Sequence, residues 1–296
     1  MFHDIRDTDK TLFPRRYNLK SFLNKEQFLR QLDSINNRYE VVSSLEAPNL
    51  DLTKGCTDYA VLTFDDGLVD HYYVHHHLRD LNLSGTFLVP SAPVLDQHMI
   101  HSHKIQFILA AVDEKILTKD ILKNFANAND LWLKYTETDC ASNWWSDEMI
   151  FITNCLRKHK GPGFNNYEYT DFLFQKYVAA DIESFSRDFY LTELNLDEMS
   201  NNNMVIGGHG HSSENLLLVD NIEAEVKKSY NFVNQYSSNF IFSYPNGGFN
   251  DEIKTVMKKY SCEVGYTVKP MTITGLDVLD KLEFPRYNSP ELLKKN

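Results

Sequence analysis

Residues 61–71 read VLTFDDGLVDH. The apolar residues of this stretch run into two adjacent carboxylates and a glycine, which predicts a buried strand that ends at a turn. Two neighbouring carboxylates at a strand end repel each other unless a cation lies beside them. The stretch therefore predicts a cation next to Asp65 and Asp66, and different roles for the two side chains.

The composition is that of an ordinary soluble globular protein. The chain has 296 residues, of which 42% are hydrophobic and 24% are charged. The formal net charge of −11 makes nucleic acid an unfavourable partner. The four cysteines are widely spaced and form no CxxC pair, which argues against a disulfide framework and against a thiolate zinc site.

The sequence carries no recognisable targeting or membrane segment. The opening MFHDIRDTDK lacks a basic stretch followed by an apolar one, and no apolar run approaches the ~20 residues of a membrane span. We therefore expect a cytoplasmic protein without a membrane span.

The stretch around the two carboxylates predicts a strand–helix–strand unit. Residues 59–64 and 84–91 are typical of buried strands, and residues 69–82 between them have the composition of a helix. This order predicts neighbouring parallel strands. Further strands are predicted at 204–208, 240–245 and 263–268, with helices at 223–236 and 251–261 between them, a short strand at 1–5 and a helix at 24–39.

Residues 95–192 differ from the rest of the chain. Helical periods, aromatic residues and charges dominate there, and neither a repeat nor a low-complexity linker separates them from their flanks. We predict one domain over residues 1–296 that carries a helical insertion at 95–192.

Three predicted strand ends carry polar groups: TFDDG, IGGHGHSS and FSYPNGG. The carboxyl ends of parallel strands meet at one edge of an α/β fold, and reactive groups gather there. A carboxylate from one strand and an imidazole from another suit Zn²⁺ or a similar borderline cation. One carboxylate of the Asp65–Asp66 pair would then bind the metal while the other acts as a base.

These motifs resemble the polysaccharide deacetylases with a NodB-homology domain, carbohydrate esterase family 4. The resemblance rests on TFDDG, the strand GTFLVPS, the histidine motif after an IG strand and the YPxG loop, and it covers residues 59–91 and about 195–286. It implies an α/β fold that is an irregular (β/α) barrel. It also implies hydrolytic removal of acetyl groups from glycans with a divalent metal, here most simply zinc, with nickel or cobalt as alternatives.

By this resemblance Asp65 is the catalytic base, Asp66 the metal-binding carboxylate and His209 the first metal-binding histidine. The second metal-binding histidine of the family is replaced by Ser213. His103, in a stretch that also contains His98 and His101, is the candidate for a third ligand. Alternatively, two protein ligands bind a metal weakly, or no metal binds.

Two further positions depart from the family pattern. The arginine that orients the catalytic carboxylate is replaced by Ser243, and Arg286 in FPRYN is the candidate substitute. The backbone N–H of Asn246 falls where the family has an oxyanion-hole donor. The late histidine that serves as general acid has no counterpart, so His3 or His103 would take this role, and His211 and Ser213 are further candidates for the pocket.

We therefore expect a metal-dependent hydrolase that deacetylates an N-acetylated sugar. A cytoplasmic protein would act on a surface-polysaccharide precursor, such as a nucleotide-linked or lipid-linked sugar. One alternative is a catalytically silent glycan-binding protein with the same fold. Another is a sugar deformylase or a different amidohydrolase.

A second group of histidines lies in the helix after the carboxylates. His71 and His75 are four residues apart and His75–His77 form a run, which is the spacing of a helical zinc site. Because no glutamate completes an HExxH motif, we expect a solvated helix face here.

Overall fold

The structure is a computed structural model that describes residues 1–7, 12–13, 22–52, 57–124, 128–136, 145–159, 165–274 and 280–289. Its strands are β1 Glu40–Val41, β2 Tyr59–Ala60, β3 Thr63–Asp65, β4 Thr86–Val89, β5 Val205–Gly208, β6 Phe240–Ser243 and β7 Cys262–Tyr266. Its α-helices are α1 Lys25–Arg38, α2 Asp70–Asp80, α3 Ser91–Leu95, α4 His101–Ala111, α5 Glu114–Leu122, α6 Ala128–Thr136, α7 Asp147–Lys158, α8 Asn166–Tyr177, α9 Ile182–Phe189, α10 Glu193–Asn201, α11 Ile222–Val233 and α12 Asp251–Lys259.

The central sheet is parallel and has the order β3-β4-β5-β6-β7. At one edge Phe2 pairs with β3, and at the other Phe284 pairs with β7, each through a single parallel bridge. The segments that contain Phe2 and Phe284 are joined by a hydrogen bond from the Ser289 N–H to the Met1 carbonyl, at 2.9 Å. The sheet therefore closes into an irregular α/β barrel, as predicted.

Large apolar side chains hold the barrel together. The ring of Phe64 on β3 stacks on Phe87 of β4 with centroids 4.8 Å apart and on Phe2 with centroids 5.2 Å apart. Helix α1 adds the buried Phe28 to this cluster, and its first turn is fixed by a capping box between Asn24 and Gln27. This packing fixes β3, and with it the position of the carboxylates at its end.

The chain forms two compact units. The first comprises Met1–Asp7, Ser21–His98 and Ser186–Asn296, and it contains the barrel. The second comprises Thr8–Lys20 and Met99–Phe185, and its described part contains helices α4 to α8, with the Phe107 ring of α4 6.4 Å from the Phe174 ring of α8. The organisation predicted from the sequence, one domain with an insertion at 95–192, stays a prediction.

Membrane-spanning helices and free cysteines can be assessed only for the residues that the structure describes. Among those residues, no helix combines the length and the apolar character that crossing a membrane requires. Cys155 and Cys262 are free thiols, whereas Cys56 and Cys140 lie outside the described residues.

The interpretation of the α2 histidines as a solvated face was wrong for two of them. His71 and His75 are fully buried on the side of α2 that also carries Val74 and Leu78. The His71 ring lies 5.7 Å from the Phe64 ring, and its Nε2 donates to the His3 carbonyl at 3.0 Å. The helical spacing of these histidines with apolar residues places them in the core.

Burial of His71 is expected to make the stability depend on pH. Burial lowers the pKa of His71 to about 4, although the His3 carbonyl and the charges of Asp4 and Asp66 oppose this. In the folded state His71 therefore takes up its proton at a lower pH than in the unfolded state. Its contribution to stability is fully present above the unfolded pKa of about 6.5 and is lost as the pH falls toward 4. Between about pH 7.5 and pH 5 this linkage amounts to about 2 kcal/mol.

Urea unfolding of wild type and His71→Asn at both pH values measures this effect. The variant is expected to lose about 2 kcal/mol less than wild type on acidification. His77→Asn, on the partly exposed side of the same helix, is the control and should follow wild type. An unchanged pH dependence in His71→Asn would contradict the prediction.

Candidate active site

The turn after β3 separates the two neighbouring carboxylates. Asp66 and Gly67 both have left-handed backbones, with φ of 77° and 61°. A Cβ at Gly67 would lie 2.7 Å from a methyl carbon of Val89, so a glycine is required there. Aspartate is among the residues that tolerate a left-handed backbone. The result is a buried Asp65 and an Asp66 whose side chain is 13% exposed.

Arg286 holds Asp65 in a fixed orientation. Its two terminal nitrogens donate to the two carboxylate oxygens at 2.7 and 2.8 Å. Its remaining donors reach the hydroxyls of Thr63 and Ser243 and the carbonyl of Thr267 at 3.2, 2.7 and 3.0 Å. Every N–H group of the guanidinium is therefore used, and the pair is bidentate.

This environment keeps Asp65 ionised. Burial by itself would raise the pKa of Asp65, because it removes the carboxylate from water. The charge of Arg286 and its hydrogen bonds act in the opposite direction and outweigh burial, and His209 and His3 add to their effect. The pKa of Asp65 consequently lies well below its usual range, and the group is a carboxylate at neutral pH.

Asp66, His209 and Ser213 converge beside this pair. Oδ1 of Asp66 lies 3.5 Å from Nε2 of His209 and 3.5 Å from the Ser213 hydroxyl. His209 follows β5, and its Nδ1 lies 3.0 Å from the Ser243 carbonyl at the end of β6. Since a carbonyl can only accept, Nδ1 carries a proton, and in the neutral imidazole Nε2 then presents a lone pair toward Asp66.

The donors of this group fit a divalent cation. Two ligands of one tetrahedral ion, each about 2.1 Å from it, are about 3.4 Å apart, which is close to the separations seen here. The carbonyl that orients His209 is the kind of partner that metal-binding histidines have. Asp66 and His209 are strong ligands, whereas the hydroxyl of Ser213 is a weak, neutral one. The group therefore fits a metal, with two strong protein ligands.

The other predicted site residues lie outside the Asp66–His209–Ser213 group. His211 contacts the Ser91 hydroxyl at 2.9 Å and a carboxylate oxygen of Asp96 at 3.5 Å. Asn246 has a left-handed backbone, with φ of 54°, in the loop after β6. His3 is partly buried and lies close enough to Asp65 to act on that carboxylate electrostatically. His103 is a buried residue of α4 in the second unit, and its role as a ligand or acid stays a prediction.

Sequence reasoning missed two kinds of residue. Thr63, the first residue of β3, and Thr267, directly after β7, hold Arg286, and no local motif marks either of them. A second group consists of His75, His76 and Glu198, whose ligand atoms all lie within 4.8 Å of one another. Its glutamate comes from α10, far along the chain, so no local motif reveals it.

Comparison with known proteins finds similarity to solved structures alone. No family model and no curated protein matches the sequence. Solved structures do match. The Streptococcus pyogenes deacetylase PplD, solved in complex with acetate, is 17% identical with a TM-score of 0.56, and the match covers 100% of this chain and 95% of that one.

Two further matches have similar scores. A polysaccharide deacetylase from Bacillus cereus is 16% identical with a TM-score of 0.53, and the match covers 97% of this chain but 62% of that one. A de-N-acetylase from Aggregatibacter actinomycetemcomitans is 13% identical with a TM-score of 0.52, with 97% and 92% covered. The chain thus spans less than two thirds of the Bacillus protein. At these identities the matches establish the architecture: the chain has the fold of the polysaccharide deacetylases, as its sequence motifs predicted.

Proposed function

We propose that the protein is a metal-dependent deacetylase that hydrolyses the N-acetyl group of a sugar. The observation that carries this proposal is the position of the Arg286-bound Asp65 carboxylate directly beside the Asp66–His209–Ser213 group. An oriented base next to a cation site is the arrangement that hydrolysis of an amide needs.

Asp66 and His209 would hold the divalent cation, with Ser213 as a weak third oxygen. Such a cation, most simply zinc and alternatively nickel or cobalt, supplies Lewis acidity that activates water near neutral pH and polarises an acyl carbonyl. The fixed tautomer of His209 keeps its Nε2 available for this purpose.

The remaining residues would handle protons and charge. Asp65 accepts the proton of the attacking water, and the bidentate contact with Arg286 keeps its carboxylate in place. The backbone N–H of Asn246 donates to the developing oxyanion. His3, which lies close enough to Asp65 to act on that carboxylate electrostatically, is our candidate for the acid that protonates the leaving amine.

The acyl group of the substrate is proposed from one of the matched structures. The Streptococcus pyogenes protein was solved with acetate, which favours an acetyl over a formyl group here. A cytoplasmic precursor of a surface polysaccharide, such as a nucleotide-linked sugar, stays a prediction from the sequence.

Acetate release from N-acetylated sugars, free and nucleotide-linked, tests the proposal. The protein is stripped of metal, reconstituted with Zn²⁺, Co²⁺ or Ni²⁺, and compared with Asp65→Asn. General-base removal typically costs about 10²–10⁴-fold in rate, so we expect a loss in this range with metal binding retained. The control is Asp251→Asn, at a side chain that is 99% exposed, and it should keep full activity.

Two results would defeat the enzyme hypothesis. One is an Asp65→Asn variant as active as wild type. The other is a wild type that releases neither acetate nor, from N-formyl sugars, formate with any of the three metals. The replacement of a strong ligand by Ser213 favours a silent glycan-binding protein as the second candidate, and calorimetric sugar binding without turnover would support it.

A further inference from the structure

We propose that His75, His76 and Glu198 form a second metal-binding site, which takes a zinc-type cation and joins α2 to α10. The site lies within the barrel unit and shares no residue with the Asp66–His209–Ser213 group. It therefore goes beyond the proposed catalytic function.

His75 is oriented as a ligand. It is fully buried, and its Nδ1 lies 3.2 Å from the Tyr72 carbonyl, which can only accept a hydrogen bond. Nδ1 is therefore the protonated nitrogen, and Nε2 carries the lone pair. Among the described residues, this buried Nε2 has no hydrogen-bond partner. Burying an acceptor without a donor costs free energy, and a bound cation would remove this cost.

His76 and Glu198 face the same place. The His76 ring lies 4.3 Å from the His75 ring and 4.8 Å from the Tyr72 ring, measured between centroids. The Tyr72 hydroxyl donates to Oε2 of Glu198 at 2.5 Å. This hydrogen bond orients the carboxylate and leaves it further lone pairs, as the partners of metal-binding carboxylates commonly do.

The donor set selects the class of cation. Two imidazole nitrogens and one carboxylate oxygen suit zinc, cobalt or nickel, whereas magnesium and calcium prefer oxygen ligands. The ligand atoms lie within 4.8 Å of one another, and a tetrahedral ion needs separations of about 3.4 Å. His75 is fixed by burial, but His76 and Glu198 are partly exposed and can rotate to close this gap.

A cation here would stabilise the fold. Helix α2 connects β3 to β4 and α10 precedes β5, so the ion would link helices that serve three adjacent strands. Ligands that bind only the folded state raise its stability by mass action. Zn²⁺ should accordingly raise the thermal midpoint of the protein through this site.

The test measures Co²⁺ binding in the full chain carrying Asp66→Asn and His209→Gln, so that the proposed catalytic metal is absent. We expect one equivalent of Co²⁺ with the visible absorption of a tetrahedral ion, displaced by Zn²⁺. Adding His76→Asn or Glu198→Gln should weaken binding by at least about tenfold. Glutamine at 198 can still accept from Tyr72, and His77→Asn, the neighbouring partly exposed histidine, is the matched control that should change nothing.

Two results would overturn the second site. One is that the Asp66→Asn/His209→Gln chain, folded by circular dichroism, binds no Co²⁺. The other is that His76→Asn and Glu198→Gln bind as tightly as His77→Asn. Should the double variant unfold, the same comparison is made in wild type, where His76→Asn should reduce bound Co²⁺ by one equivalent. His76→Asn is expected to keep any deacetylase activity, so failure of this site and failure of the proposed function are distinguishable.

Discussion

Replacing Arg286 with methionine is expected to destabilise the protein by about 3–5 kcal/mol, because it leaves a buried carboxylate without its partner. The Arg286 and Asp65 side chains are only 4% and 3% exposed, so water cannot replace the guanidinium. The variant should also lose hydrolytic activity, because Asp65 is no longer held in place. Urea unfolding at pH 7 with a chelator present measures the change in the free energy of unfolding.

Arg6→Met is the matched control for this change. Arg6 also contacts both carboxylate oxygens of Asp70, through its Nε at 3.0 and 2.8 Å, but those side chains are 22% and 12% exposed. Pairs that water reaches contribute less, so we expect a loss of roughly 1 kcal/mol. The Asp65→Asn/Arg286→Met double variant should be less destabilised than the sum of its single changes. An Arg286→Met variant that loses no more than Arg6→Met would refute the role assigned to this pair.

The sequence revealed the barrel through its strand ends. Strands β3, β5 and β6 are short apolar runs that end in polar motifs, and a parallel sheet brings such ends to one edge. The closing contacts could not be predicted in detail. Phe2 and Phe284 join the sheet through single bridges, and such isolated pairs have no periodic pattern that would reveal them.

The candidate site shows a similar limit. Asp65, Asp66 and His209 belong to local motifs, whereas Arg286 lies 221 residues from Asp65 along the chain. Arg286 was proposed as the substitute for the arginine that the family has at the position of Ser243, and the structure brings its guanidinium to Asp65. His75 was misjudged because the lack of an HExxH motif was taken to indicate a solvated helix face, although His75 shares a face with Val74 and Leu78.

Introducing a histidine at position 213 is expected to strengthen metal binding by roughly 10²-fold. Structural zinc sites with four ligands bind the ion with about 10–16 kcal/mol, which is about 3 kcal/mol for each ligand. The hydroxyl of Ser213 lies 3.5 Å from Oδ1 of Asp66, so a side chain at this position points toward the proposed cation site. The backbone also permits the change. Ser213 has φ of 60°, and histidine is among the residues enriched in this left-handed region.

Ser213→Asn is the control that distinguishes the effect of the imidazole from that of the backbone conformation. Asparagine also tolerates a left-handed backbone but is a weak metal ligand. Competition of Zn²⁺ with a chelating dye gives the affinities, in chains that also carry His76→Asn so that the second site does not contribute. We expect the affinity for Zn²⁺ to be highest with histidine at position 213 and similarly low with serine and asparagine. Acetate release should rise in parallel for the histidine variant. Equal affinities for the histidine and asparagine variants would mean that position 213 does not face the metal, and the cation site would then have to be assigned without it.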